Sequence, residues 1–160
     1  MGARAVGRPR AVARRGSGQT QAEAPAPSAQ AVRAAAALRA ALRSFEHASD
    51  QIAREHGLTP QRYLLLLTIK GAPDGSERST VSELAERLKL AQQSVTELVG
   101  RAERAGLIRR QRSAKDARVV YLELTPRAHA LVAAIFREHE HERRALLQAL
   151  RGADAQASGG

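Results

Sequence analysis

The sequence predicts a mainly α-helical protein with one small β-hairpin. Alanine-rich segments carry apolar residues at helical spacing over residues 29–56 and again over residues 126–151. Between them, residues 91–104 have the pattern of a polar helix with a narrow apolar stripe. Two β-prone runs joined by a basic turn, residues 107–112 and 118–124, follow that helix directly. This order indicates a winged helix-turn-helix flanked by N- and C-terminal dimerisation helices.

Length, composition and charge narrow the possible classes. The chain has 160 residues, enough for one domain with a real core but short for two. Aromatic residues make up 2% of the chain, so the core must consist mainly of Leu, Val, Ile and Ala. The net charge of +10 favours an acidic polymer as partner, a nucleic acid before a membrane.

Several chemistries are excluded by residues that the sequence lacks. The absence of cysteine rules out disulfides, thiol catalysis, thiolate zinc sites and cysteine-based oxidant sensing. There is no nucleophile with a base at a motif spacing and no phosphate-cradling glycine loop, so we expect neither an enzyme nor a bound cofactor. The sequence also lacks a run of about 18 apolar residues and the apolar core of a secretory signal. We therefore expect a cytoplasmic protein that does not enter a membrane.

Residues 1–28 form an Arg-rich arm that we expect to be disordered. Five arginines stand against the single acidic residue Glu23, among Gly, Pro, Ser and Gln. Such a segment cannot bury enough apolar surface to offset the entropy of ordering. It is either a flexible arm that adds phosphate contacts or a solvated tail.

Residues 29–56 should form one long helix, which Gly57 ends. Its apolar seam has members three, four, three and seven residues apart: Ala35, Leu38, Leu42, Phe45 and Ile52. A long helix with a narrow seam at the edge of a small domain often packs on a partner chain. We therefore assign residues 29–57 to dimerisation.

The following segment should supply the core and the first half of the helix-turn-helix. Thr59 and Pro60 can cap and begin a helix whose residues 63–69 are apolar nearly all round. Further on, Thr80 and Glu83 match a capping box. A helix over residues 82–88 and a turn at residues 89–91 then lead to the polar helix.

The polar helix and the hairpin have the features of a DNA-contacting unit. The apolar stripe of the helix frees its other side for an external partner. Between residues 101 and 118 the chain has two acidic residues and seven basic ones: Arg101, Arg104, Arg109, Arg110, Arg112, Lys115 and Arg118. A helix of this size fits the major groove of DNA, and the hairpin can reach the backbone or the minor groove beside it.

A second long helix should begin after Thr125-Pro126 and run to about residue 151. Its seam again has the spacing of a coiled coil: Val132, Phe136, His139, Arg143, Leu146 and Leu150. The tail at residues 153–160 is expected to be disordered. The domain at residues 29–152 thus consists of a DNA-binding lobe, residues 58–125, between dimerisation helices at residues 29–57 and 126–152.

In their order and gaps, several short motifs resemble the MarR family of bacterial transcriptional regulators. They are LTPQRY (58–63), VSELA (81–85), QQSVTELV (92–99), GLIRR (106–110), SAKDAR (113–118) and LELTP (122–126). The resemblance covers roughly residues 30–150. It implies a homodimer with intertwined terminal helices, bound to a palindromic operator of double-stranded DNA, usually as a repressor. It also implies that a small, often aromatic effector can bind between the dimerisation helices and the lobe and release the DNA.

The resemblance assigns the candidate DNA-binding residues by position. On the recognition helix they are Gln92, Gln93, Ser94, Thr96 and Arg101. On the wing they are Arg110, Arg112, Ser113, Lys115, Asp116 and Arg118. Arg118 matches an arginine that approaches the minor groove or its phosphates, and Asp116 matches an aspartate that pairs with and orients an arginine.

Three positions depart from the family's pattern. Ala91 stands where a capping serine is usual, Gly100 lies inside the recognition helix, and Ala102 stands where leucine is common. The missing cap and the glycine each cost the helix about 1 kcal/mol. These departures predict a recognition helix that is weak by its local sequence.

Two further groups of residues have both a functional and a structural interpretation. Phe45 and Tyr63 are candidates for an effector pocket or ordinary core residues. Within residues 138–142 (EHEHE), His139 and His141 lie on different sides of a helix, so they cannot share an ion. We therefore expect no metal site.

Three functions remain open at the level of sequence. The favoured one is a sequence-specific dimeric regulator. The second is a nonspecific or architectural basic DNA-binding protein, in which the arm and the wing dominate. The third is a winged helix used for protein contacts. A salt series on operator and random DNA separates the first two, because only a specific reader keeps a large affinity ratio.

Overall fold

The computed structural model describes residues 26–157, with side chains through residue 153. The elements are α1 (Ala29–Glu55), α2 (Pro60–Lys70), β1 (Arg78–Ser79), α3 (Val81–Leu88), α4 (Gln92–Arg104), β2 (Ile108–Arg112), β3 (Val120–Leu124), α5 (Pro126–Glu138) and α6 (Glu140–Ala157). This order confirms the mainly helical winged helix fold that the sequence predicts. The Arg-rich arm lies outside the described residues except for positions 26–28.

Helix α2 is the centre of the core. It begins with Pro60, and Thr59 accepts a hydrogen bond from the amide of Arg62. Tyr63, Leu66 and other inward residues of α2 are buried. They pack against α3, α4, α5 and β3, so the helix-turn-helix and the wing are fixed to one common support.

Helices α3 and α4 form the helix-turn-helix. Both hydrogen bonds of the predicted capping box are present: the Thr80 amide donates to Glu83 Oε2 at 2.7 Å, and the Glu83 amide donates to Thr80 Oγ1 at 3.3 Å. Helix α3 ends at Leu88, and the next residue, Lys89, has a φ of 54° that turns the chain toward α4. The predicted stripe of α4 is buried: Val95, Leu98, Val99 and Ala102.

The sheet has three antiparallel strands in the order β1-β3-β2. Strand β2 pairs with β3 from Ile108–Leu124 to Arg112–Val120. Leu122 and Leu124, which are alternate residues of β3, are buried on the same face of the strand. The hairpin is therefore anchored through β3, and its basic turn stays exposed.

The C-terminal helix is broken, which corrects our expectation of one helix to about residue 151. Helix α5 ends at Glu138 and α6 begins at Glu140. His139 lies at the break, and its buried ring is 4.5 Å from the ring of Phe45 on α1. Phe136 and Leu150, which were expected in the seam, are exposed. The seam spacing continues across the break, so the periodicity could not reveal it.

Helix α6 also extends further than predicted. It packs along α1 and continues to Ala157, so the expectation of disorder is wrong for residues 153–157. Alanine, the best helix former, recurs at every second position from residue 153 to residue 157. The last three residues lie outside the described part. Among residues 26–157, no helix combines the length and the apolar character needed to cross a bilayer.

Candidate nucleic-acid interface

The outer side of α4 is polar and exposed. Because the apolar stripe faces α2 and α3, the candidate contact residues remain accessible. They are Gln92, Gln93, Ser94, Thr96 and Arg101, all of which are exposed. All five predicted residues of this helix are therefore accessible to an external partner.

The first turn of α4 has no side-chain cap of the usual kind. Ala91 precedes it in an extended conformation, and no side-chain hydrogen bond caps this helix start. The Gln92 side chain instead donates from Nε2 to Ser82 Oγ on α3, at 3.1 Å. The Thr96 hydroxyl donates to the Gln92 carbonyl at 2.9 Å. Two of the predicted contact residues are therefore tied within the protein.

The wing turn is held by short-range hydrogen bonds. Ser113 Oγ accepts from the amides of Lys115 and Asp116. Asp116 Oδ1 accepts from the Arg118 amide at 3.0 Å and from Arg118 Nε at 3.2 Å. The pairing of Asp116 with an arginine, which the resemblance implied, is present. Arg118 remains 91% exposed at its side chain, so this aspartate orients the guanidinium without burying it.

Two basic residues of β2 are paired within the protein. Arg110 Nε donates to Glu103 on α4 at 3.1 Å, and Arg109 donates from Nε and Nη2 to Glu123 on β3. The pair of Arg110 and Glu103 links the recognition helix to the wing. Arg110 is therefore a weaker candidate for a DNA contact than the exposed Arg112.

Sequence reasoning missed Ser82 and Glu103 as part of this surface. Ser82 is ten residues from Gln92, and Glu103 is seven from Arg110. Each pair joins two different elements, and only the packing of those elements brings the side chains together. No local motif indicates such a contact.

The sequence of the helix-turn-helix and the wing is similar to that of a known protein family. A model of the MarR family matches residues 56–119, which hold the helix-turn-helix and most of the wing. Over these residues the chain is similar to the MarR family. No curated protein sequence matches it.

Solved structures of MarR proteins have the same fold. One MarR family transcription regulator is 29% identical, with a TM-score of 0.60, over 74% of this chain and 75% of that chain. A MarR family protein from Bacillus stearothermophilus is 21% identical, with a TM-score of 0.64, over 83% and 99%. A mutant MarR from E. coli, complexed with operator DNA, is 16% identical, with a TM-score of 0.57, over 72% and 80%.

The chain also has a cavity of about 510 Å³ between α1, α2 and the break of α5 and α6. Both predicted pocket residues, Phe45 and Tyr63, line it, together with Phe136, His139 and Arg143. Tyr63 is otherwise a core residue, 4% exposed. Burial raises the pKa of the Tyr63 hydroxyl, and the positive charge of Arg143 partly opposes that rise.

His139 is the most unusual group at the cavity. Its side chain is buried, and its Nε2 has no hydrogen-bond partner within the described residues. Burial lowers the pKa of the imidazole; Glu142 and a hydrogen bond with the Phe45 backbone oppose this effect, and Arg143 adds to it. In the neutral tautomer whose proton is on Nδ1, Nε2 is an acceptor without a partner among the described residues.

No group of three or more His, Asp or Glu residues suited to a metal ion occurs in the described part of the chain. His139 is buried and His141 is exposed, which fits the prediction that the two histidines face different sides.

Proposed function

We propose that this chain is a MarR-family DNA-binding transcriptional regulator that reads a palindromic operator as a homodimer. It acts as a repressor, and a small-molecule effector releases it from the DNA. The observation that carries the proposal is the exposed polar side of α4 beside the basic wing. Amide and hydroxyl side chains discriminate base edges, whereas arginines contact phosphates or enter the minor groove.

A homodimer is supported by apolar side chains that the single chain leaves in water. On α1 and α6, large apolar residues are exposed: Val32, Leu42, Leu147 and Leu150. Exposed large apolar side chains on two helices that pack together are a candidate surface for association with a second copy. A two-fold dimer would present two copies of α4, which matches an inverted repeat with half-sites about one helical turn apart.

An effector site is supported by the cavity beside His139. The cavity lies between the dimerisation helices and α2 of the lobe, so an occupant would contact both. Phe45 and Tyr63 offer aromatic surface, and His139 Nε2 can accept one hydrogen bond. An aromatic effector with a hydroxyl or N–H group satisfies both features.

The operator, obtained by selection from random DNA, permits a direct test of the interface. The combined variant Gln93→Ala/Arg118→Ala should bind operator at least about 30-fold more weakly, because each of the two lost contacts is worth about 1–3 kcal/mol. The matched control Gln61→Ala/Arg137→Ala removes the same residue types from exposed positions of α2 and α5, outside the proposed DNA-contact and dimer surfaces. Fluorescence anisotropy titrations compare the two.

Two outcomes would contradict this assignment. Operator binding that survives the combined variant would mean that α4 and the wing are not the contact surface, as in a winged helix used for protein contacts. Equal affinity of the wild type for operator and random DNA, with a steep loss on adding salt, would favour the nonspecific or architectural alternative.

The proposed effector site can be tested by calorimetric titration of the protein with pairs of compounds, each pair being a phenol and its O-methyl ether. We expect the phenols to bind and the ethers to bind at least tenfold more weakly, because an ether oxygen cannot donate to His139 Nε2. Equal binding of both members of each pair would remove His139 from the site.

A further inference from the structure

We propose that Ser82 is a positioning residue for the recognition helix. Its hydroxyl holds the Gln92 side chain at the start of α4 and so fixes the amide that is presented to the DNA. The inference rests on the proposed function, since it concerns how the same helix reads bases. It assigns a role to a residue outside the predicted contact set.

The need for such a tie arises from the sequence of α4. In α1, α2, α3 and α5 a serine or threonine caps the first turn: Ser28, Thr59, Thr80 and Thr125. Helix α4 has Ala91 at this place and no side-chain cap. Its first turn carries the candidate base-reading residues, yet it is the least restrained of these helix starts. A contact from outside the helix is required to restrain it.

The hydrogen bond from Gln92 Nε2 to Ser82 Oγ, at 3.1 Å, supplies that contact. Ser82 lies in the first turn of α3, where the capping box of Thr80 and Glu83 holds the backbone. At the other end of α3, Arg87 donates to Ser79 Oγ and to the carbonyls of Thr68 and Gly71. Gln92 is thus tied to a helix that is itself fixed at both ends.

The tie leaves the reading groups of Gln92 available. A glutamine amide has two N–H donors and one carbonyl acceptor, and Ser82 uses one donor. One donor and the carbonyl remain, and these are the groups that pair with N7 and N6 of adenine. Ser82 therefore restricts the rotamers of Gln92 without occupying its base-reading edge.

The expected effect follows from the cost of immobilising a side chain on binding. Ordering a long side chain costs about 0.5–1.5 kcal/mol, equivalent to about two- to twelvefold in affinity. If Ser82 orders Gln92 in the free protein, Ser82→Ala should weaken operator binding about three- to tenfold. Binding to random DNA, which does not use the Gln92 amide in a fixed position, should be unchanged.

The test measures operator and random-duplex affinities for the full chain and its variants. Ser82→Ala should lower the operator affinity alone, and Ser82→Thr, which keeps the hydroxyl, should retain it. In a Gln92→Ala background, Ser82→Ala should have almost no further effect, because the tie is already lost. If Ser82→Ala instead damaged folding, its loss of operator affinity would persist in the Gln92→Ala background, so this comparison also tests for such damage.

Three results would overturn the proposal: operator affinity unchanged in Ser82→Ala, an equal loss on operator and random DNA, or full additivity with Gln92→Ala. An equal loss would show that Ser82 itself contacts a phosphate. A wild type that does not discriminate operator from random DNA would instead refute the proposed function.

Discussion

The charges on the wing fall into two kinds, and the difference determines what each residue can do. Arg109 and Arg110 are paired with glutamates on neighbouring elements, whereas Arg118 is paired only with the adjacent Asp116 and stays exposed. The carboxylate of Asp116 fixes the direction of Arg118 but also repels DNA phosphates. These two effects have opposite signs in binding.

Asp116→Asn separates the two effects. If orientation dominates, operator affinity should fall about three- to tenfold although the net charge becomes more positive. Random-duplex affinity should rise or stay the same, because only charge matters there. Anisotropy titrations on both duplexes measure this, and tighter operator binding by the variant would show that repulsion is the larger effect.

His139 gives the protein a defined dependence on pH. The pKa of its buried imidazole in the folded chain is lower than in the unfolded chain, where it is about 6.5. Below pH 6.5 the unfolded chain binds more protons at His139 than the folded chain does, so protonation favours unfolding. The contribution of His139 to stability is therefore complete above pH 6.5 and is lost as the pH falls toward the lowered pKa. His139→Phe keeps an aromatic ring beside Phe45 and removes the titration.

When the pH is lowered from 7.5 to 5.5, we expect the Tm of the wild type to fall further than the Tm of His139→Phe. Comparison with the variant isolates His139, because every other ionisable group is the same in both proteins. Equal losses of Tm in the two proteins would contradict the account of His139.

At the scale of single residues, the sequence predicts contacts between residues that are near each other in the chain. The pairing of Asp116 with Arg118, two residues apart, could be anticipated, as could the exposure of Gln93. The bonds from Ser82 to Gln92 and from Glu103 to Arg110 could not, because tertiary packing creates them. The unpartnered Nε2 of His139 likewise depends on how α1 covers the break between α5 and α6.

Helix α4 is an element whose local sequence is weaker than its role requires. It lacks a cap and contains Gly100, yet it forms over its predicted length, because four of its residues are buried against the core. Tertiary packing therefore outweighs the local cost. A Cβ added at Gly100 would meet Arg104 Nη1 at 3.6 Å, an ordinary contact with the end of a flexible side chain.

Gly100→Ala should accordingly stabilise the folded chain by about 0.5–1 kcal/mol. Urea unfolding at constant m-value measures this difference. A loss of stability would mean that the backbone at this position needs the freedom of glycine.

Helices that begin with a local capping motif were predicted well. The break between α5 and α6, which depends on a contact with the distant helix α1, was not. The cap-plus-proline starts of α2 and α5 and the capping box of α3 lie within a residue of their predicted positions. The break at His139 was missed because Val132, His139 and Arg143 keep an unbroken seam spacing. The stacking of His139 on Phe45 lies outside what that periodicity describes.

For the whole molecule, the proposed dimer depends on α1 and α6. Together they keep exposed apolar residues that a second copy would bury in that dimer, including Leu147, which is 52% exposed. Two copies would also place two recognition helices at a fixed separation. Dimerisation is then a condition of operator recognition, because each half-site alone offers only half of the contacts.

Leu147→Glu should convert the proposed dimer to a monomer and abolish tight operator binding. Burying an unpaired carboxylate in the interface is strongly unfavourable. Gln148→Glu adds the same charge at the adjacent exposed position and serves as the control. Sedimentation velocity measures the mass; a variant that remains dimeric would exclude this face of α6 from the interface.

Selection of bound DNA from a random-sequence pool, followed by sequencing, tests the central claim most directly. The account predicts that the wild-type chain enriches an inverted repeat with half-sites about one helical turn apart, and that Gln93→Ala/Arg118→Ala does not. A pool that shows no enrichment despite tight binding at low salt would contradict it and would identify a nonspecific, charge-driven DNA-binding protein.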